Sequence, residues 1–120
     1  MKYLIISIIS ILACSFTYKI TYSETGKASF YANKFNGRRT SSGEVFSQDN
    51  LTAAHKSLKL GTFVKVTNLS NDSIVVVKIN DRLGKSSGHA IDLSLKAAQK
   101  LNFVRNGSAN VKIESIEPIK

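Results

Sequence analysis

The chain has 120 residues, which fits one domain. Its 17 Lys and Arg against 8 Asp and Glu give a formal net charge of +9 at pH 7, a balance that favours anionic partners without dictating a fold. The single cysteine, Cys14, excludes an intramolecular disulfide, and the lack of any CxxC or Cys/His cluster excludes zinc sites of that type.

In chain order, Lys2 precedes an uncharged stretch over residues 3–16, the layout of a positive n-region followed by an apolar h-region. The stretch falls short of the about 20 apolar residues a membrane-spanning helix needs, so it reads as an export signal; an uncleaved anchor or a buried helix is the competing reading. Ile11-Leu12-Ala13-Cys14 resembles a lipobox, in which Cys14 would carry a lipid anchor, although Leu12 is bulky for its position. A plain signal cut after Ser23, with Thr21 and Ser23 as the small residues, is the alternative. The expected division is therefore a signal at 1–23, with the lipobox-like segment at 11–14, and a folded domain at 24–120.

Residues 17–27 are polar and read as an irregular cleavage region or linker. A first strand is expected at 28–32 and a polar loop at 36–43. Residues 51–58 suit a helical turn or a strand equally. Residues 62–69 alternate as a strand, 70–73 form a turn, and 74–79 form an apolar strand whose continuity predicts burial on both faces. Residues 80–88 read as a loop. Ser94 is placed to cap a helix carrying Leu95, Ala98 and Leu101, and 110–115 close the domain as a strand. The triplets Val64-Lys65-Val66, Val77-Lys78-Ile79 and Val111-Lys112-Ile113 each set one lysine between two apolar residues, as a sheet with one wet face requires. Many short strands with little helix predict a mainly β small barrel or sandwich.

With eight acids, each can be weighed. Glu24, Glu114 and Glu117 read as surface residues near the domain edges, and Asp49 and Asp72 as turn residues. Asp81 directly follows the most apolar strand, where burial and a cleft can coincide, and is the leading acid/base candidate; bonding to local amides or to Arg82 is its structural alternative. Glu44 ends the polar loop. Asp92, two residues before the helix, reads as a structural group that caps or pairs with Arg82. His55 lies among small apolar residues and is either a satisfied core histidine or, if near Glu44 and Asp81, an acid/base or orienting group. His89, between loop glycine and alanine, reads as exposed. Phe30, Tyr31, Phe35 and Phe46 are candidates for stacking on sugars or for core packing.

Six segments in order resemble the rare lipoprotein A family: Gly26-Lys27-Ala28-Ser29-Phe30-Tyr31, Phe35 to Glu44, Leu51 to Leu58 with His55, Val66-Thr67-Asn68-Leu69, Ile79-Asn80-Asp81-Arg82 and Ile91-Asp92-Leu93-Ser94. The resemblance runs from about residue 26 to residue 116. It implies a six-stranded double-psi β-barrel with one or two short helices, a fold shared with expansins and some endoglucanases. It also implies a lytic transglycosylase that cuts peptidoglycan glycan strands, prefers strands lacking stem peptides and leaves 1,6-anhydro-muramyl ends. Motif by motif, Asp81, Glu44 and His55 take the catalytic positions, and Tyr31, Thr40 and Arg82 the substrate contacts. No metal or cofactor is implied, and an exported monomer in the periplasm or envelope is expected, without nucleic acid as a partner. The chain departs from the family pattern at Phe30 and Ala32, and in the loop after Asp81, where Leu83-Gly84 and His89 stand. That altered loop keeps open a non-catalytic, expansin-like wall-binding module.

Overall fold

The computed structural model describes residues 17–119. The lipobox-like segment, with Cys14, lies outside the described residues. Strands β1 (Tyr18–Phe30), β2 (Thr52–His55), β3 (Phe63–Asn68), β4 (Ile74–Arg82), β5 (Ile91–Leu93) and β6 (Ala109–Pro118) close into a barrel in the order β1-β5-β2-β4-β3-β6. A 3₁₀ turn (Asn33–Phe35) and one α-helix, α1 (Leu95–Lys100), complete it. Closure removes the free strand edges at which further chains pair. Within the ambiguous segment at 51–58, Thr52–His55 form the wholly buried strand β2.

Polar sequence did not prevent β1 from extending well beyond its expected start. The segment read as an irregular linker is strand, paired antiparallel with β6 from Tyr18↔Pro118 to Ala28↔Ala109. Its outward side chains are polar because that face is wet, while Tyr22, Glu24 and Gly26 continue the face that carries buried Ala28. The expected boundary between residues 23 and 24 therefore falls inside a strand. At β4 the continuous apolar run misled: Val75, Val77 and Ile79 are buried but Ile74 and Val76 are exposed, so one face is wet. β4 also continues through Arg82, into residues read as loop.

The core joins Val64 and Val66 of β3, Val77 and Ile79 of β4, Ile91 and Leu93 of β5, and Val111 and Ile113 of β6, with Leu101 and Phe103 beneath. Each lysine of the three triplets lies between two such buried residues, as expected. Ser94 caps α1 by accepting from the Ala97 amide at 3.3 Å, and its hydroxyl donates to the Asn50 carbonyl. The cap thus ties the helix to the entry of β2.

Candidate active site

A one-residue shift in strand register shapes the site. Ala53 pairs with Ile79, but the next residue, Ala54, pairs with Asp81, so Asn80 is the extra residue on β4. Successive strand side chains alternate faces, and without this shift Asp81 would share the core face of Ile79. The extra residue re-aims it to the face of Ala54, as bulges beside functional sites do. On its other side Ala54 pairs with Asp92 of β5, which pairs in turn with Ser29 of β1. Ser29, Asp92, Ala54 and Asp81 thus form one row across four adjacent strands. Asp81 and Asp92 are two strand spacings apart, roughly 9–10 Å between backbones. Both line a cleft with Phe30, Tyr31, Phe35 and Arg82.

The Asp81 carboxylate is densely hydrogen-bonded. Oδ2 accepts from the Tyr31 hydroxyl at 2.6 Å, and Oδ1 accepts from the Ser41 amide at 2.9 Å, the Ser41 hydroxyl at 2.8 Å and the Arg82 amide at 2.9 Å. Burial alone would raise its pKa, but donation from Tyr31, Ser41 and Arg82 outweighs it and holds the carboxyl below its ordinary value. The Tyr31 phenol is pushed far upward by burial, then by its bond to Asp81 and by the charges of Asp81 and Asp92, so it keeps its proton. Tyr31 stacks on Phe46 with centroids 4.2 Å apart and meets Phe35 edge-on. Phe46 is core, whereas Phe30, Tyr31 and Phe35 line the cleft.

The other sequence candidates separate. Glu44 ends the loop that delivers Ser41, but it is exposed and pairs with Lys78 Nζ at 2.7 Å. Hydrogen bonding from Lys78 lowers its pKa, against the opposing effect of desolvation. Thr40 is buried; its hydroxyl meets that of Ser42 at 2.9 Å and its amide donates to the Glu44 carbonyl, so it shapes the loop instead of facing the cleft. Arg82 lines the cleft while its guanidinium donates to the His55 carbonyl at 3.1 Å. Asp92 is not paired with Arg82 as expected. It accepts from the Ser29 hydroxyl and lies 3.7 Å from His89 Nδ1, because the row puts Ser29 beside it.

His55 is the clearest departure. As the residue after Ala54 it faces the opposite way, and it is buried against Glu24 instead of Asp81. Its Nδ1 accepts from the Ser57 and Leu58 amides at 3.1 and 3.0 Å, which leaves the proton on Nε2 to donate to Glu24 Oε1 at 2.5 Å. Sequence reasoning passed over Glu24 because its polar segment looked like linker. It underrated Asp92 because a helix follows it, although its place between two buried apolar residues, Ile91 and Leu93, was a readable strand signal.

A family model described as "Lytic transglycolase" matches residues 23–113. A protein named endolytic peptidoglycan transglycosylase RlpA from Neisseria meningitidis is 47% identical over 97 residues, 81% of this chain and 41% of its own length. The protein of the same name from Pseudomonas aeruginosa is 46% identical over 99 residues, 82% of this chain and 29% of its own. The chain thus spans well under half of these relatives. Among solved structures, a Streptomyces papain inhibitor superposes with TM-score 0.67 at 20% identity, covering 82% of this chain and 97% of that one. A Clavibacter michiganensis expansin, in complex with cellohexaose, does so with TM-score 0.65 at 18% identity, covering 82% and 52%. At these identities the likeness is one of fold.

Proposed function

The chain belongs to the lytic transglycolase family, and from that premise we propose that it cuts peptidoglycan glycan strands at the cleft shared by Asp81 and Asp92. The observation that carries this reading is the row that brings two carboxyl groups and the Tyr31 phenol into one aromatic-sided cleft. Cleaving a glycosidic bond needs a proton for the leaving oxygen and a base for the attacking group. Asp81, held as its anion, takes the proton of the sugar's own 6-hydroxyl. The 6-oxygen bonds to the anomeric carbon as the bond from that carbon to the leaving oxygen breaks, and Asp92, which takes up a proton from solvent before the first cycle, supplies the one the leaving oxygen takes up. The products are a 1,6-anhydro-muramyl end and a free hydroxyl. No water is consumed, and return of one proton from Asp81 to Asp92 restores the site. This divides the acid and base tasks between Asp81, the leading acid/base candidate of the sequence, and Asp92, with Tyr31, Ser41 and Arg82 fixing the base. Ser42 links Glu44 to the Ser41 loop, so Glu44 acts on the substrate-facing loop and not on the reacting bond.

The substrate is a strand freed of stem peptides, which the cleft's flat aromatic side and flanking basic residues suit. The protein acts in the cell envelope, exported by its N-terminal segment and as a monomer, since the closed barrel leaves no strand edge to pair. A cut ahead of β1, as lipidation at Cys14 would produce, keeps Tyr18–Ser23 paired with β6, whereas a cut after Ser23 would strip them away. Mass spectrometry of soluble products from peptide-free glycan strands tests the activity. Anhydro-muramyl products from the wild-type chain that vanish in Asp81→Ala are expected. Glycan binding without products would replace cleavage with an expansin-like binding role.

A further inference from the structure

A second cleft, of about 330 Å³, opens where the inward face of β1 runs past the core, lined by Tyr22, Glu24, Lys27, His55, Lys56 and His89. Nothing in the reaction above uses it, yet its groups are fixed in place. The buried His55 ring has its tautomer set by two backbone amides and holds Glu24 through Nε2. The Tyr22 ring meets the His55 ring edge-on at 5.9 Å, and its phenol is raised by partial burial and by hydrogen bonding to Glu24. Backbone packing is equally tight, since a Cβ on Gly26 would come within 2.6 Å of Ala90 Cβ. Two lysines, Lys27 and Lys56, line the same cleft. Lys56 donates to the Ser87 carbonyl at 2.8 Å, and the Lys27 amine has no side-chain partner among the described residues. A fixed acceptor in a cleft lined also by two lysines and the Tyr22 ring matches a sugar that carries both hydroxyls and a carboxylate.

The two clefts also border one another. His89 lines the second cleft, and its Nδ1 lies 3.3 Å from the Ser29 hydroxyl and 3.7 Å from Asp92 Oδ1, in the row that faces the first. We propose that the Tyr22–Glu24–His55 cleft is a distal saccharide subsite that takes the carboxylate-bearing sugar of a strand whose cut bond lies over Asp81 and Asp92. Lys27 and Lys56 pair with the ether-linked carboxylate, and Glu24 accepts from a ring hydroxyl. The inference rests on the glycan-cutting reading for the identity of the strand.

The test uses the full chain carrying Asp81→Asn, so that strands bind without being cut, and follows backbone amide shifts by NMR. Peptide-free glycan oligomers are expected to move the amides of Lys27, Lys56 and Gly88 together with those of Ser41 and Arg82. In this background Lys27→Ala with Lys56→Ala is expected to weaken binding of these oligomers about tenfold at low salt, and much less at high salt. Neutral N-acetylglucosamine oligomers are expected to bind the chain with and without the lysine changes alike. Shifts confined to the Asp81 cleft, or undiminished affinity in the lysine variant, would overturn the subsite. Absence of anhydro-sugar products from the wild-type chain, with both clefts still responding in Asp81→Asn, would sink the cleavage reading and leave the subsite standing.

Discussion

The two clefts hold a carboxylate by different means. At Asp81 the partners are neutral donors, Tyr31, Ser41 and the Arg82 amide, on a cleft floor built from a strand row and a loop. At Glu24 the partners are a buried imidazole, with its proton position set by backbone amides, and the Tyr22 phenol. The first arrangement holds a carboxylate as its anion on the wall of an open cleft, where it can meet a substrate hydroxyl. The second suits a group that must hold still. Ala54 and His55, consecutive on β2, serve one cleft each, so a single step along a strand separates the two roles.

The sharpest way to break this contrast is to neutralise one acid in each cleft. Asp81→Asn is expected to lower turnover on peptide-free strands by roughly 10²–10⁴, the usual worth of a positioned acid or base. Glu24→Gln is expected to raise KM more than it lowers kcat, and steady-state kinetics separates the two. Equal losses of kcat would make the clefts one catalytic unit.

Stability discriminates next. His55→Ala removes a buried ring and strands two amides and Glu24, and is expected to cost about 2–3 kcal/mol in urea unfolding. Ile79→Ala, in the shared core below both clefts, sets the scale at about 2–5 kcal/mol.

A smaller effect reports on Asp81 electrostatics. Tyr31→Phe removes one donor to the anion and is expected to shift the acid limb of the pH–rate profile to higher pH. The linked stability has a definite sign. Asp81 and Glu44 have folded-state pKa values below their ordinary ones, so their contribution is present above the unfolded values near 4 and is lost as pH falls through the folded ones. Smallest of all, Lys78→Ala breaks an exposed pair with Glu44 and is expected to change stability by about 0.2–1 kcal/mol, an effect that added salt erases.

Much of the fold was legible. Alternating β-branched residues marked β3 and β6, the lysine-centred triplets marked three one-sided strands, and Ser94 marked the start of α1. Asp81 was visible as a carboxyl at the end of a buried strand. The start of β1 was not, because its polar residues are strand only while β6 supplies their hydrogen bonds. The burial of one face of β4 was misread because an apolar run does not say which of its residues meets water.

Local pattern, which needs only nearest neighbours and a period, determined from the sequence alone that this protein is a small β domain with an acid at a strand mouth and a capped helix. Which polar groups meet was decided only in three dimensions. The Asn80 register shift turns Asp81 towards Asp92 across Ala54, and barrel closure carries Glu24 to His55, 31 positions away. Sequence spacing holds no record of either meeting, because strand register and the closing of a sheet on itself are properties of the assembled barrel.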